Sequence, residues 1–491
     1  MLFIKILAYL CFLIYTGSLI YVALFCVSQF HLLYHYIRKN NKSTLLSTSD
    51  KALPKVTVQL PIYNEKYVVE RLVDSIIALD YPKDKLEIQI LDDSTDETLE
   101  LSQAKTSFYQ NQGYDIKVIR RSDRTGFKAG ALKEAMKTAT GEFIAIFDAD
   151  FIPNPDFLKR TIPIFEDAHI GVVQTRWEHL NEDYSILTKL QAFQLNVHFT
   201  IEQKGRENGN YFLQFNGTAG IWRSKTIADA GGWEADTLTE DLDLSYRAQL
   251  KGWKIHYMVD VTSPSELPAE MNGLKSQQYR WMKGGAETAR KLLPSVWKSQ
   301  LGLGEKIGAT AHLLASSVFL FVFVLGLISV PLLFLIKPAG IDMSFFTIFF
   351  SSLVIISLIY FIANVGIAWK KQNLLWMIVK FVLIFPIFMA LSMGLSFHNS
   401  IAVLQGFIGK KTDFVRTPKY GIRKITDSFR KDAYFNSKLS KQTMFEGVLA
   451  IYFITAFAVG IICQLNYFQL LHGLLAFGYS LTFFISVKHA K

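Results

Sequence analysis

The chain has 491 residues, half of them apolar, and a formal net charge of +10. This length exceeds an ordinary single domain, and the apolar content indicates a protein with both soluble and membrane parts. The basic residues gather beside apolar segments and form no stripe with interleaved aromatics, which argues against a nucleic-acid partner. All three cysteines lie inside apolar segments, so no disulfide framework is indicated.

The chain opens on an apolar segment, Met1 to Leu33, that only Lys5 interrupts. It exceeds the roughly 20 residues that span a hydrocarbon core. No small-residue cleavage site precedes the basic run that begins at Arg38, so an anchor is favoured over a cleaved signal peptide. We assign residues 1–36 to an N-terminal transmembrane anchor.

Residues 50–270 form the candidate soluble domain, in which β-rich and helical runs alternate. Strand patterns at 56–63, 86–93, 116–121 and 142–150 are separated by helical patterns at 66–79, 95–109 and 128–139. Repeated βαβ units predict an α/β fold with a mainly parallel sheet and flanking helices. Since no GxGxxG follows the first strand, a mononucleotide site is expected and a dinucleotide fold is disfavoured.

Acidic and amide side chains gather at the carboxyl ends of these strands, where ligands bind in parallel sheets. They are Asn64, Glu65, Asp92, Asp93, Asp148 and Asp150. The acid-x-acid arrangement of Asp148 and Asp150 can hold a hard divalent cation, Mg²⁺ or Mn²⁺, through carboxylate oxygens; a strand-end Asx turn is the plain alternative. Asp92 and Asp93 can cap a helix that begins near Thr95, or accept hydrogen bonds from a base and ribose.

Two later segments offer a cation and a base. Lys128, preceded by Arg124, begins a helix and can bind a phosphate at the helix amino terminus, unless it is simply a solvated surface lysine. Glu240 and Asp241, after Thr239, occupy a first helical turn, where the helix dipole alone favours acids. We predict Glu240 and Asp241 as the catalytic pair, with Asp241 as the base that accepts the proton of an attacking hydroxyl.

The segment QQYRW at 277–281 places Gln277, Arg280 and Trp281 on roughly one helical face. Arg280 can bind a diphosphate and Trp281 can stack on an acceptor sugar, whereas membrane seating alone also explains interfacial Trp and Arg. Aromatic and basic residues mix throughout 275–299, which is typical of an interfacial amphipathic helix. Residues 271–305 are therefore predicted to form interfacial helices.

The remaining chain is divided by its apolar and basic segments. We predict a transmembrane pair at 306–370, an interfacial helix at 371–409, a cytosolic loop region at 410–445 and a transmembrane hairpin at 446–488. The positive-inside rule places the basic clusters in the cytoplasm. Five spans, an outside N-terminus and a cytosolic soluble domain follow, in a plasma membrane or a bacterial inner membrane. A single crossing by 374–391 is the alternative.

The motifs LDDST, DAD, TED and QQYRW occur in the order of a known D, DxD, TED and QxxRW pattern. Over roughly residues 50–425 the chain resembles the membrane-embedded family 2 glycosyltransferases of the cellulose synthase superfamily. The segments LPIYNE, QTRWEHLN, FNGTAGIWR and TEDLDLSYRAQLKGW are most similar to cellulose-synthase-like mannan and glucomannan synthases and their bacterial relatives.

The resemblance implies a GT-A fold, a UDP- or GDP-sugar donor, a divalent metal at Asp148 and Asp150, and Asp241 as the base. Together with the residue patterns, it gives a donor site of Asn64, Glu65, Asp92, Asp93, Lys128, Asp148 and Arg280. The acceptor site comprises Gln277 and Trp281 together with Phe215, Asn216 and Gly217, a segment that a simple turn explains equally. Phe414, Thr417 and Lys419 fit the spacing of the family's FxVTxK gating loop, with Arg416 in place of valine.

The expected function is transfer of a hexose from GDP-mannose or UDP-glucose, with inversion, to a growing β-linked polysaccharide that is exported through the membrane. A polysaccharide or glycolipid acceptor and membrane lipid are the other expected partners. One alternative is non-processive glycosylation of a membrane lipid. A second, of a different class, is a transporter or scaffold with a non-catalytic nucleotide domain.

Overall fold

The computed structural model describes residues 2–39, 53–342, 347–366, 373–412, 414–424, 426–429, 434 and 439–490. Within them, the helices are α1 (Leu2–Arg38), α2 (Val69–Ile77), α3 (Thr98–Gln110), α4 (Phe127–Ala135), α5 (Phe157–Thr161), α6 (Ile186–Val197), α7 (Gln203–Asn208), α8 (Ser224–Asp229), α9 (Glu240–Leu250), α10 (Met271–Lys298), α11 (Leu303–Leu313), α12 (Val318–Ala339), α13 (Thr347–Phe361), α14 (Leu374–Gly394), α15 (Ser396–Ile408), α16 (Lys441–Ile462) and α17 (Gln469–Ala490). A π-helical turn, His198–Glu202, joins α6 to α7, and a second, Ile362–Gly366, follows α13.

Seven strands form one sheet in the α/β domain. They are β1 (Val56–Ile62), β2 (Leu86–Asp92), β3 (Asp115–Ile119), β4 (Phe143–Ile146), β5 (Ile170–His179), β6 (Gly220–Arg223) and β7 (Lys254–Ser265), in the spatial order β3-β2-β1-β4-β6-β5-β7. All neighbouring strands are parallel except β6, which is antiparallel to both β4 and β5. The predicted α/β fold with a mainly parallel sheet is confirmed.

The strands β1 and β2 are almost fully buried because helices cover the sheet. One of these helices, α2, buries Val69, Leu72, Val73 and Ile76, whose spacing of three and four residues forms one apolar stripe. The stripe joins the sheet residues in a single hydrophobic core. This packing fixes the carboxyl ends of the strands in place.

Among the described residues, five helical segments are long and apolar enough to cross a membrane. They are Leu2–Arg38, Ala315–Ala339, Leu374–Gly394, Lys441–Ile462 and Asn466–Ala490. Their number equals the predicted number of spans, but their identity differs. The segment Phe350–Gly366, which belongs to the predicted pair at 306–370, is shorter, and Leu374–Gly394 lies in the predicted interfacial region.

The predicted interfacial region forms two helices, α14 and α15, joined at Leu395. Near the start of α14, the charge of Lys380 adds to a hydrogen bond from Lys189 in lowering the pKa of Asp183, which precedes α6. Near the end of α15, a Cβ at Gly406 would lie 2.6 Å from the carbonyl oxygen of Lys283 in α10. Both ends of the pair therefore lie beside the α/β domain and α10. The interfacial placement itself stays a prediction.

A buried charge pair joins α10 to the last two helices. The ammonium of Lys275 lies 2.5 Å from Glu446 in α16 and donates to Ser486 in α17 at 3.0 Å. Both charged side chains are at least nine-tenths buried. The amide of Met271 also donates to His489 Nδ1 at 3.1 Å. Because a buried charge is costly without its partner, this pair fixes the position of α10 on the C-terminal hairpin.

Candidate active site

A cleft of about 160 Å³ opens at the carboxyl ends of β1, β2 and β4. The start of α9, one face of α10 and the segment 414–419 form its other walls. Most predicted site residues line it: Glu65, Asp93, Lys128, Asp148, Asp150, Asn216, Gly217, Glu240, Asp241, Gln277, Arg280, Trp281, Phe414, Thr417 and Lys419. The fold therefore brings together motifs that lie as far apart in sequence as Glu65 and Lys419.

Asn64 and Phe215 were predicted to bind donor and acceptor, but they do not line the cleft. Asn64 adopts a positive φ of 55° and accepts a hydrogen bond at 2.9 Å from the amide of Thr95, which ties the end of β1 to the loop after β2. Phe215 is fully buried, with its ring edge-to-face on Trp222. Both residues therefore lie behind the residues that form the cleft wall.

The two adjacent acids at the end of β2 have different surroundings. Asp92, predicted as a donor ligand, is fully buried and accepts hydrogen bonds from the Ser94 amide at 2.8 Å and the Ser102 hydroxyl at 2.6 Å. Asp93 faces the cleft and is held by two nitrogens of the Arg121 guanidinium. Only Asp93 is placed to contact a ligand, because successive side chains of a strand point in opposite directions.

Each acid of the DAD motif is paired with a lysine. Lys128 Nζ lies 2.5 Å from Asp148 Oδ1, and Lys419 Nζ lies 2.9 Å from Asp150 Oδ2. Asp150 also accepts a hydrogen bond from the amide of Glu266 at 3.0 Å. The predicted metal-binding carboxylates thus lie together in the cleft wall, and each already contacts one positive charge.

Lys128 lies between the DAD motif and the start of α9. It donates to the carbonyl oxygen of Gly217 at 2.9 Å as well as to Asp148. Burial opposes its charge, but the nearby carboxylates of Asp148, Glu240 and Asp241 outweigh burial and raise the pKa of Lys128. The ammonium is therefore a permanent positive charge in the cleft and is suited to a phosphate.

Asp241 lies in the first turn of α9, as the sequence predicts. Burial, and then the charge of Glu240, raise the pKa of the Asp241 carboxyl to about 7, although the amide of Leu242 donates to it at 2.9 Å. A carboxyl that titrates near neutral pH is well matched to general-base catalysis. Of the two predicted catalytic acids, Asp241 therefore has the properties of the base.

Gly217 brings the backbone close to Asp241. Its φ is +79°, and a Cβ at this position would lie 3.1 Å from Asp241 Oδ2 and 3.5 Å from Lys128 Nζ. Glycine is needed here both for its backbone conformation and for its lack of a side chain. This is a stronger requirement than the simple turn that the sequence suggests.

Asn216, beside Gly217, is oriented by a histidine that sequence analysis missed. His198 Nε2 lies 2.9 Å from Asn216 Oδ1, and His198 Nδ1 lies 2.9 Å from Glu202 Oε2. His198 and Glu202 both belong to the π-helical turn that follows α6. Turns of this kind are frequent at functional sites, but the surrounding apolar sequence carries no local signal of one.

The segment 414–421 is folded over the cleft. The Arg280 guanidinium lies 5.0 Å from the centre of the Phe414 ring, which in turn stacks on Phe127. Two buried carboxylates of the cleft wall hold the segment further along: Arg416 pairs with Glu65 at 2.8 Å, and Glu266 accepts hydrogen bonds at 2.9 Å from the amides of residues 420 and 421. Sequence analysis did not predict the role of Glu266, since its partners follow more than 150 residues later.

The sequence was compared with those of known protein families and curated proteins. Residues 54–284 match the family described as "Glycosyltransferase like family 2". The chain is 42% identical over 254 residues to glucomannan 4-beta-mannosyltransferase 1 of Oryza sativa subsp. japonica, covering 51% of this chain and 49% of that protein. It is 42% identical over 252 residues to glucomannan 4-beta-mannosyltransferase 2 of Arabidopsis thaliana, covering 50% and 47%. The chain spans about half the length of these curated relatives.

Among solved structures, the fold is similar to that of a mannosyltransferase from Pyrobaculum calidifontis in complex with GDP-Man and Mn²⁺. The TM-score is 0.53 at 18% identity, with 83% of this chain and 100% of that chain covered. This likeness supports the predicted GT-A-type fold. The sequence matches bear out the predicted resemblance: residues 54–284 match the family 2 glycosyltransferase model, and about half of the chain is similar to glucomannan 4-beta-mannosyltransferases.

Proposed function

We propose that the protein is a membrane-embedded inverting glycosyltransferase that transfers a hexose from a nucleotide sugar to a growing β-linked polysaccharide. The observation that carries this proposal is Asp241, a carboxyl with a pKa of about 7 in the same cleft as Lys128, Arg280 and the DAD acids. Because the relatives are named mannosyltransferases and the similar solved structure contains GDP-Man, mannose from GDP-mannose is the favoured donor sugar.

The chemistry needs one displacement. Asp241 accepts the proton of the acceptor hydroxyl while the hydroxyl oxygen forms a bond to the anomeric carbon of the donor. The bond from that carbon to the diphosphate breaks on the opposite side, so the configuration inverts and the nucleoside diphosphate leaves. Lys128 and Arg280 lie in the cleft to stabilise the negative charge on the departing diphosphate.

Asp148 and Asp150 would hold a divalent cation, Mg²⁺ or Mn²⁺, because carboxylate oxygens are the ligands these hard cations prefer. Such a cation neutralises charge on a leaving diphosphate. Lys419 contributes to the same carboxylate pair from the folded-over segment. A cation that binds Asp150 would therefore compete with the ammonium of Lys419, which already contacts this carboxylate.

The contacts of the segment 414–421 constrain the membrane topology. Since Lys419 bonds to Asp150, this segment must lie on the same side of the membrane as the α/β domain. The chain therefore crosses the membrane an even number of times between α10 and residue 414. We propose that two of α12, α13 and α14 are spans and that this side is cytosolic, because the positive-inside rule favours the cytosol for a basic region such as 410–440. We propose that the polymer made there is exported.

The donor assay tests the proposed function directly. Membrane vesicles that contain the full chain are given labelled GDP-mannose, UDP-glucose, UDP-GlcNAc or UDP-galactose separately, and products are digested with linkage-specific hydrolases. We expect label from GDP-mannose in a polymer that a β-mannanase degrades. A lipid-bound product that is one sugar long would contradict polymer synthesis, and no product from any donor would contradict the transferase assignment.

The pH dependence of catalysis should follow the ionisation of Asp241. Because the base must be deprotonated to accept a proton, kcat/KM is expected to fall about tenfold for each pH unit below a pKa of about 7. The variant Glu240→Gln removes a negative charge that raises this pKa, so its acidic limb should move to lower pH. Equilibrium binding of GDP to both proteins across the same range separates the catalytic effect from donor binding. An acidic limb that does not move in the variant would contradict the assignment.

A further inference from the structure

A polar network lies behind Asn216 and extends away from the cleft. His198 and Glu202 belong to the π-helical turn after α6, with His198 Nδ1 2.9 Å from Glu202 Oε2. On the other side of the ring, His198 Nε2 lies 2.9 Å from Asn216 Oδ1. Arg206 of α7 contacts the same oxygen of Glu202 at 3.5 Å. The imidazole ring of His198 therefore joins a carboxylate of the turn to an amide that lines the cleft.

Both partners of the His198 ring are hydrogen-bond acceptors. Burial opposes the charge of Glu202, but the hydrogen bond from His198 and the charge of Arg206 outweigh burial and hold the pKa of Glu202 at about 2. Glu202 is therefore ionised and has no proton to donate. Since Asn216 Oδ1 also only accepts, both ring nitrogens carry a proton, and His198 is an imidazolium. Burial, and then the charge of Arg206, lower the pKa of the nearby His312 well below its usual range, so that ring stays neutral.

The amide nitrogen of Asn216 is a buried donor without a partner among the described residues. The residue is only 8% exposed, its backbone amide donates to Gln174 Oε1 at 2.8 Å, and its Oδ1 is held by His198. The indole N–H of Trp177, which lines the same cleft, is likewise buried and unpaired. Buried N–H groups in native proteins nearly always have a partner. These two donors therefore indicate a ligand that is rich in acceptor oxygens, as a sugar is.

Asn216 directly precedes the glycine that approaches the base, since a Cβ on Gly217 would lie 3.1 Å from Asp241 Oδ2. A sugar whose attacking hydroxyl reaches Asp241 therefore places its adjacent hydroxyls near Asn216. We propose that Asn216 Nδ2 donates to one of these adjacent hydroxyls of the acceptor, and that His198 and Glu202 are positioning residues that hold the amide in this orientation. Without the donor on His198, the amide can turn over and present its oxygen instead. This assignment rests on the proposed function and specifies how its acceptor is held.

Two substitutions of His198 separate its two contacts. His198→Asn keeps a donor at the place of Nδ1, toward Glu202, whereas His198→Gln keeps a donor near the place of Nε2, toward Asn216. The full chain in detergent is given the labelled donor that supports transfer, with β-1,4-mannotetraose or cellotetraose as the acceptor. We expect His198→Asn to raise the KM for the acceptor by about 2-fold to 13-fold, the usual contribution of one hydrogen bond, with a smaller change in the KM for the donor. His198→Gln should retain most of the affinity for the acceptor.

A second pair of histidine and glutamate provides a matched control. His256 Nδ1 lies 2.7 Å from Glu207 Oε1, and neither residue lines the cleft. His256→Asn and His256→Gln should therefore leave the KM for the acceptor unchanged. Thermal unfolding of all four variants shows how much stability each substitution costs, independently of acceptor binding. Equal KM values for the acceptor in the two His198 variants, whether raised or not, would overturn the positioning role.

Deoxy acceptors test the Asn216 contact in the wild-type chain. Each hydroxyl beside the attacking one on the terminal sugar of mannotetraose is replaced by hydrogen in turn. We expect one analogue to have a higher KM than mannotetraose in the wild type and the same KM as mannotetraose in His198→Asn, where the amide is no longer held. Additive effects of the analogue and the substitution would contradict the contact. A wild type that transfers sugar but extends neither tetrasaccharide would also overturn the proposal, whereas no transfer at all would count against the proposed function.

Discussion

Replacement of Asp241 by Asn is expected to lower the rate of sugar transfer by about 100-fold to 10,000-fold, the usual contribution of a positioned general base. The amide has nearly the same shape as the carboxyl, so it can still accept from the Leu242 amide, but it cannot take a proton from the acceptor. The loss should therefore appear in kcat, measured with labelled donor and the full chain in membranes, and not in the affinity for GDP.

A matched control is available in the same domain. Asp229→Asn makes the same chemical change at an exposed position of α8, and we expect it to leave transfer unchanged. If Asp241→Asn transfers sugar at the wild-type rate, Asp241 is not the base. A wild-type chain that transfers no sugar at all would instead favour the alternative of a transporter or scaffold with a non-catalytic nucleotide domain.

Gly217→Ala is the second substitution with a large expected effect. A Cβ at 3.1 Å from Asp241 Oδ2 is closer than most Cβ contacts in proteins, so either the loop or the carboxylate must move. Since a displacement of about 1 Å in a catalytic group can cost 100-fold in rate, we expect transfer to fall by about that factor. Steady-state kinetics should show a larger fall in kcat than change in KM for the donor.

Alanine at Gly217 also imposes backbone strain, and a second glycine separates this effect from the displacement of Asp241. Gly232 has nearly the same φ, +78°, but a Cβ there would meet no atom within 4 Å. Gly232→Ala should therefore lower thermal stability about as much as Gly217→Ala and leave transfer nearly unchanged. Equal losses of activity in the two variants would show that strain, and not the contact with Asp241, is responsible.

The regular elements of the α/β domain were predictable because their signal is local. Apolar runs at β1, β2 and β4 and the helical spacing of α2 depend only on near neighbours in sequence, and the βαβ order then requires parallel strands. The same logic located the DAD and TED acids at a strand end and a helix start. Boundaries were less accurate: the helix expected from residue 66 begins at Val69, because residues 66–68 form a turn.

The contacts that complete the site were not predictable, because they join residues distant in sequence. Glu266 binds a segment that follows more than 150 residues later, and the pair of Arg416 with Glu65 joins the end of β1 to the segment that follows α15. Adjacent acids such as Asp92 and Asp93 could not be told apart either, since one position in strand register decides which of them faces the cleft. Local sequence gives the type of side chain, whereas the sheet gives its direction.

The apolar helices show a different limit. Hydropathy ranks segments by composition, and both Leu374–Gly394 and the shorter Phe350–Gly366 are apolar. In the structure, part of α14 packs on the α/β domain, where Phe388 and Leu391 share a hydrophobic cluster with Leu190 of α6. Apolar side chains are favoured both against another protein surface and in a lipid bilayer. Composition alone therefore does not show which of the two an apolar helix contacts.

The charge pair between Lys275 and Glu446 has a practical consequence for anyone who wishes to produce the catalytic part alone. Loss of Glu446 alone would leave the ammonium of Lys275 without its carboxylate among the helices that bury it, and breaking such a pair typically costs about 3 to 5 kcal/mol. That is a large fraction of the roughly 5 to 15 kcal/mol that stabilises a folded domain. The last two helices therefore belong to the same folding unit as α10, and a truncation before them removes the contacts of Lys275 with Glu446 and Ser486.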